Sequence, residues 1–375
     1  FKQLLHEARQ MGIDIALDLA FQCSPDHPYL TQHPEWFRRR PDGTVQFAEN
    51  PPKRYEDIVP FDFECDAWQS LFEELRDVVR HWIAQGVRIF RVDNPHTKSF
   101  AFWEWLIQTV KADTPEIIFL AEAFTRPKIM YRLAQLGFTQ SYTYFAWRNT
   151  KYELTTYFTE LTDYPTVEFF WPNLWPNTPD ILTEYLQTGG RPAFMVRLIL
   201  AATLGGNYGI YGPAFEQAID TPVEMGREEY LDSEKYQIQR WQTDPNDTLT
   251  DLIARVNRIR RENPALQQDR RLGMLPVDNE QMIAFYKSTP DGTNTIVVVV
   301  NLDVHHTHAG WLELPLTELG IDPERPFQMH DLLGDGRFLW QGSRNYVELS
   351  PQSMPAHIFR IRTRVRTEQD FDYFM

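Results

Sequence analysis

Apolar residues change their spacing repeatedly along the first two-thirds of the chain, and each change predicts an element. Residues 4–11 carry helical spacing that stops at Gly12, and 13–21 then read as a strand. From Asp66, the residues Trp68, Leu71, Phe72, Leu75, Val78, Val79, Trp82 and Ile83 recur at intervals of three and four. That spacing predicts a helix with Asp66 and Gln69 as a capping box and Gly86 as the stop. Val87-Arg-Ile-Phe-Arg-Val-Asp93 reads as the next strand. Phe100, Phe102, Trp103, Leu106, Ile107 and Val110 predict a helix, and 117–122 another strand. Further strands are predicted near 138–145, 167–171 and 208–211, and helices near 179–186, 192–204 and 248–261.

Strands alternating with helices imply parallel pairing through right-handed crossovers. Six such strands suggest an α/β protein, a (β/α)8 barrel whose first strands are missing, since eight fit in roughly 250 residues. Two long loops, 23–64 and 212–243, are expected to shape a binding site. After Asn263-Pro264 the texture becomes short alternating segments, at 282–286, 295–302 and 357–361, separated by Gly-containing turns. The expected organisation is therefore a barrel over 1–264 with a loop insertion about 23–64, a C-terminal antiparallel β-sandwich over 265–363, and a tail over 364–375. The start, Phe1-Lys-Gln-Leu-Leu5, lacks an initiator Met and a signal-peptide layout, and reads as a piece cut from a longer chain.

Charge and cysteine content narrow the function. The formal net charge of −15 disfavours nucleic acid and anionic membranes as partners. Two cysteines, Cys23 and Cys65, without a Cys-x-x-Cys pair support neither a disulfide framework nor a zinc site, and point to a reducing, cytoplasmic compartment. No apolar run reaches the ~20 residues of a membrane-spanning helix. Aromatic residues make up 14% of the chain, a level that suits stacking on flat amphipathic ligands such as sugars.

In a barrel, polar groups at the C-terminal ends of strands face the active site. Asp93 and Glu122 close successive strands, and Asp180 follows a later one. Two facing carboxylates can serve as nucleophile and acid/base of a retaining glycosyl transfer, which places them about 5–5.5 Å apart. Each could equally cap a helix, and the Thr178-Pro179-Asp180 context in particular reads as a helix start. Asp18, inside an apolar strand, reads as a local structural hydrogen-bonder. His305-His306-x-His308 could bind a metal but falls in the β-sandwich region, away from the carboxylates. Gly189-Gly190 and Gly205-Gly206 lack phosphate-loop spacing.

Val87-Arg-Ile-Phe-Arg-Val-Asp-Asn-Pro-His96 resembles the strand-four motif of the α-amylase superfamily (glycoside hydrolase family 13), and Ile118-Phe-Leu-Ala-Glu122 its strand-five motif. Longer strings resemble one subfamily, the α-1,4-glucan:maltose-1-phosphate maltosyltransferases: Ala20-Phe-Gln-Cys-Ser-Pro-Asp-His-Pro28, Glu49-Asn-Pro-Pro-Lys-Arg-Tyr55, Arg91-Val-Asp-Asn-Pro-His-Thr-Lys98 and Ala121-Glu-Ala-Phe-Thr-Arg-Pro127. The resemblance implies Asp93 as nucleophile, Glu122 as general acid then base, and Asp180 as the third carboxylate. Arg91 would orient Asp93 and favour its anionic form. Lys53, Tyr55, Asn94, Lys235 and Tyr236 would surround the sugar and phosphate of the donor, with Gln22 on the donor sugar. The usual Asn-His of strand three is replaced by Phe21-Gln22-Cys23, and the Asn-His-Asp of strand seven by Asn177-Thr-Pro-Asp180. These departures weaken an amylase reading and are shared by the subfamily.

The implied partners are α-maltose 1-phosphate and an α-1,4-glucan acceptor, with a homodimer formed through regions partly absent here. The chemistry requires no metal or organic cofactor. An α-glucan hydrolase or phosphorylase, or a non-catalytic glucan-binding protein, are the alternatives.

Overall fold

A computed structural model describes residues 1–50, 53–234, 237–241 and 248–363; the expected tail over 364–375 lies outside the described residues. The chain forms two compact units. The first is Phe1–Tyr142 with Phe169–Trp171, and the second is Thr143–Glu168 with the chain from Pro172 onward.

In the first unit, α1 (Lys2–Gln10) leads into β1 (Ala16–Leu19), and β2 (Gln22–Cys23) follows. The insertion carries α2 (Tyr29–Gln32), β3 (Ala48–Asn50), β4 (Lys53–Tyr55) and β5 (Val59–Pro60). Then come α3 (Trp68–Gln85), β6 (Ile89–Asp93), α4 (Phe100–Asp113), β7 (Ile118–Glu122), α5 (Pro127–Gln135) and β8 (Gln140–Tyr142). Strands β1, β6, β7 and β8 pair in parallel in that order. The expected strand over 13–21 is shortened to Ala16–Leu19, and beyond it Gln22 and Cys23 pair antiparallel with Pro60 and Val59 of the insertion.

Period two sets the faces of the sheet. Phe90 and Val92 of β6, and Phe119 and Ala121 of β7, are buried in a core with Leu71, Leu75 and Val79 of α3 and Phe102, Leu106 and Val110 of α4. Ile89, Arg91 and Asp93 therefore occupy the opposite face. The predicted capping box of α3 does not form: the helix starts at Trp68 behind Ala67, with no side-chain cap. Its predicted stop does, with Gly86 at φ +107°, a conformation an L side chain rarely adopts.

In the second unit, α6 (Lys151–Thr162) opens with a true capping box, Thr150 with Glu153. The strand expected at 167–171 is displaced: Thr166–Glu168 is a 3-10 turn, and β9 is Pro172–Leu174, paired in parallel with β10 (Asn207–Tyr208). The helix α7 (Glu184–Leu204) is broken at Gly190 (φ +56°, ψ −158°), ahead of Pro192, so the two helices expected on either side of residue 190 are present but the first starts at Glu184. After α8 (Gly212–Glu216) and α9 (Thr250–Glu262) the strands turn antiparallel. They are β11 (Leu272–Leu275), β12 (Met282–Ser288), β13 (Thr295–Asn301), β14 (His308–Glu313), β15 (Phe327–Asp331), β16 (Arg337–Trp340), β17 (Arg344–Leu349) and β18 (Ala356–Arg362). Six of them form a sheet ordered β11-β12-β13-β18-β15-β16, and β14 pairs with β17 as a separate ribbon.

The end of α7 is held by buried cations. Its unpaired C-terminal carbonyls attract positive charge. Lys287 of β12, fully buried, donates to Leu204 O at 3.1 Å. Arg260 of α9 donates to the carbonyls of Ala202, Gly205 and Gly206, and the amide of Gly206 donates to Asp269 at 2.5 Å. Burial pushes the Lys287 ammonium down from 10.5 to about 8, with Asp269 opposing that shift.

A folded-state value below the unfolded one means that, between about 8 and 10.5, the unfolded chain holds a proton the folded chain has released. The contribution of Lys287 to stability therefore rises with pH across that window. Denaturant titrations at pH 8 and pH 10.5 should show wild-type stability increasing relative to Lys287→Met; a difference independent of pH would contradict this.

Candidate active site

β6 and β7 run in parallel register with Asp93 opposite Glu122. Their Cα atoms thus sit at the same level on strands ~4.8 Å apart, at the C-terminal ends. Arg91, two residues earlier on the same face, ties the site together. Its Nη1 lies 3.0 Å from Asp18 Oδ1 and 3.4 Å from Asp93 Oδ1, and its Nη2 lies 3.3 Å from Glu122 Oε1. Burial opposes the guanidinium charge, but Glu122, Asp18, Tyr142 and Asp93 outweigh it and hold Arg91 above its ordinary value. Burial pushes the neighbouring Tyr142 phenol up to about 12, so it stays protonated at neutral pH.

The loop after Asp93 turns sharply. Asn94 adopts φ +42°, ψ +53°, the left-handed region that Asn tolerates better than most residues. The turn aims two donors at the carboxylates: Asn94 N–H at Glu122 Oε2 (3.4 Å) and Asn94 Nδ2 at Asp93 Oδ1 (3.2 Å). Pro95 then opens the 3-10 turn Pro95–Thr97, and its carbonyl accepts from Trp103 Nε1 at 2.9 Å. Lys98 closes the loop from beneath. Its Nζ donates to Asp93 O at 3.3 Å, Asn94 O at 3.4 Å and Thr97 Oγ1 at 3.1 Å. Burial pushes the Lys98 ammonium down, with Asp93 and Glu122 opposing, and burial followed by Lys98 pushes the His96 imidazole down.

Asp93, Glu122, Arg91 and Asn94 are therefore brought together as expected of one cleft. Asp18 is not a local hydrogen-bonder: it faces Arg91 from the adjacent strand, in direct register. Lys98 and Tyr142 were not singled out. Asp18 and Tyr142 could have been found by counting alternate positions on neighbouring strands, whereas Lys98, in an irregular loop, carried no periodic signal.

The remaining candidates are placed as follows. Gln22 is half-buried in β2 opposite Pro60; Lys53 is in β4 opposite Asn50, and Tyr55 in the same strand opposite Ala48. In this unit a cavity of about 440 Å³ lies between the insertion and the loop after β6, lined by Phe61, Asp62, Phe63, Thr97 and Lys98 among others. In the second unit, Asp180 stands in a turn closed by Thr178 and Ile181, and its backbone N–H donates to Thr178 Oγ1 at 3.2 Å. The expected helix start at Asp180 is thus corrected to a turn, the helix beginning four residues later behind Thr183. Asp180 borders a cavity of about 150 Å³ with Tyr230, Asp232 and Ser233. Asn177 is fully buried, donating from Nδ2 to the Tyr230 hydroxyl at 2.8 Å and accepting Tyr211 N–H at 2.9 Å. Lys235 and Tyr236 lie outside the described residues. His306 Nδ1 and His308 Nε2 both pair with Asp303 Oδ2 at 2.9 Å, and among the described residues no three such side chains are grouped to hold a metal.

Comparison with known proteins places this arrangement. Among solved structures, the chain matches an α-amylase from Geobacillus thermoleovorans complexed with acarbose at a TM-score of 0.75, with 15% identity, covering 97% of this chain and 80% of that one. It matches an Anoxybacillus α-amylase at 0.73, with 16% identity, covering 98% and 79%. The fold is that of the α-amylase (β/α)8 barrels, followed by C-terminal antiparallel strands. A family model described as "GLGE, C-terminal" matches residues 274–361. The chain is 55% identical over 367 residues to the alpha-1,4-glucan:maltose-1-phosphate maltosyltransferase of Chlorobaculum tepidum, covering 96% of this chain and 55% of that protein. It is 52% identical over 361 residues to the protein of the same name from Methylacidiphilum infernorum, covering 96% and 54%. Over 96% of its length the chain is related by sequence to these maltosyltransferases, and it spans about half the length of the curated relatives it matches. Among the described residues no helix is long and apolar enough to cross a membrane.

The left-handed turn at residue 94 yields a stability prediction. Asn94→Ala should unfold about 1 kcal/mol more readily than Asn94→Gly, because only glycine takes a positive φ without strain. Thermal denaturation of the two variants checks it. Lys98→Met should lower kcat by about a hundredfold through misplacement of the loop, with a smaller change in KM; steady-state kinetics showing the reverse would contradict that role.

Proposed function

We propose that the chain carries the active site of a retaining maltosyltransferase, moving maltosyl units from α-maltose 1-phosphate to the non-reducing end of an α-1,4-glucan. The observation that carries this reading is the register of Asp93 with Glu122 under a single shared arginine. One carboxylate can attack while its neighbour manages the proton.

In the first step an Asp93 oxygen attacks the anomeric carbon as the carbon–oxygen bond to phosphate breaks, and phosphate departs with the electron pair. Glu122 assists as general acid. In the second step Glu122 takes the proton of the acceptor 4-hydroxyl, whose oxygen attacks the same carbon and releases Asp93. Two inversions leave the configuration retained. Asp180 is the proposed third carboxylate, stabilising the transition state and gripping sugar hydroxyls. Lys53, Tyr55, Asn94, Lys235 and Tyr236 are proposed around the donor's sugar and phosphate, and Gln22 on its sugar. A cytoplasmic location, a homodimer, and a division into a barrel over 1–264 and an accessory β domain over 265–363 belong to the same reading. The homology of this chain to named maltosyltransferases supports the donor and acceptor assigned here over simple glucan hydrolysis.

Phosphate release from α-maltose 1-phosphate, by the parent chain with and without glycogen, tests the reading. Release should depend on glycogen and be lost in Asp93→Ala. Maltose formed faster than chain elongation would point to a hydrolase, and release untouched by Asp93→Ala would remove the nucleophile. Phosphate is a good leaving group, so Glu122→Ala should impair the acceptor step more than the first and accumulate a maltosyl-enzyme visible by mass spectrometry.

A further inference from the structure

The ribbon of β14 and β17 turns two large rings outward. Trp311 and Tyr346 are directly opposite in its register and remain 44% and 53% exposed, while Leu312, Asn345 and Val347 alternate with them into the interior. A cross-strand aromatic pair stabilises a ribbon, but this pair is also held in place from outside the ribbon. The Asp278 carboxylate accepts the Trp311 N–H at 2.6 Å and Arg344 Nη2 at 3.1 Å, and the Arg344 guanidinium lies 5.0 Å from the Trp311 ring centre. The Tyr346 hydroxyl donates to Glu348 Oε2 at 3.2 Å. Across from Glu348 stands Ala309, whose small side chain leaves the face beside the rings open. The outward face thus combines two fixed rings with Glu313, Glu348 and Arg344 at its rim.

We propose that this face is a second binding site for the α-1,4-glucan chain, separate from the catalytic carboxylates. Aromatic rings take up the C–H faces of sugars, and rim carboxylates and a guanidinium match neutral hydroxyls as acceptors and donors. Acidic side chains on the rim, in a chain of net charge −15, disfavour a polyanion in the same place. Ring geometry selects the linkage. The two planes are inclined at 66° with centroids 5.6 Å apart. An α-1,4-glucan coils and presents successive sugar faces at an angle, whereas a β-1,4-glucan is a flat ribbon that calls for coplanar rings. The site holds the polymer on the C-terminal strands and so deepens the proposed function, on whose acceptor it rests.

Native electrophoresis of the full chain through gels containing glycogen or hydroxyethyl cellulose tests the proposal. Wild type should be retarded by glycogen and run freely in the cellulose derivative. The double variant Trp311→Ala/Tyr346→Ala should lose most of the retardation. Ala309→Arg, which crowds the face and leaves both rings and the core untouched, should do the same if the double variant fails to fold. Phosphate release with maltohexaose as acceptor should be unchanged in both. Retardation of the variants equal to wild type, an unretarded wild type, or equal retardation in both gels overturns the proposal. If phosphate release is absent in wild type while retardation still falls in the variants, the function reading fails and the binding face stands; release intact with retardation unchanged removes the binding face alone.

Discussion

The fork of Arg91 is the interaction on which the carboxylate cluster of the first unit depends. Three carboxylates, Asp18, Asp93 and Glu122, come from three adjacent parallel strands and would repel one another, most strongly the largely buried pair Asp93 and Glu122. A planar guanidinium can meet several oxygens at once in fixed directions, which the point charge of a lysine cannot. Its own position is backbone-determined: the period-two pleat puts Arg91 on the face of Asp93, and the parallel register puts Asp18 beside it. The arginine is thus both the neutralising charge and the positional reference for the site.

Backbone polar groups in irregular segments receive the same treatment elsewhere in the molecule. Lys98 collects the carbonyls of the loop after β6, and Arg260 with Lys287 collects those at the end of α7. Arg197, fully buried, donates to the carbonyls of Phe145 and Arg148 and stacks its guanidinium 3.8 Å from the Phe145 ring centre. A buried carbonyl without a partner costs free energy comparable to a lost hydrogen bond. Long cationic side chains reach such groups from a neighbouring element, at the expense of burying charge.

How much of this was readable in advance follows from how local each cause is. The strands β6 and β7 and the helix α3 were legible because their apolar residues repeat over several turns or pleats, and the ends of β6 and β7 named Asp93 and Glu122. The helices α5 and α6 were missed: α5 buries only Met130, Leu133 and Ala134, and α6 is built around Thr and Tyr residues that score poorly as helix formers. The strand near residue 170 was misplaced because Phe169, Phe170 and Trp171 supply a strand-like apolar run, while the ladder forms at Pro172–Leu174. The capping box of α3 matched a pattern whose geometry the chain did not adopt. Asp18 depends on a contact with Arg91, 73 residues away, and no short window along the chain contains both partners; Lys98 bonds only within its own loop, whose irregular backbone carries no periodic signal.

The register of β6 and β7 leaves only the side chains to separate the two acids in space. With Asp93 and Glu122 at one height on neighbouring strands, backbone position does not distinguish them. What differs is side-chain length. The aspartate carboxylate stays closer to the sheet, and the glutamate carboxylate, on a side chain longer by a single methylene, reaches further from it. A difference of one carbon thereby sets two chemically similar groups at different heights above strands that hold their Cα atoms level.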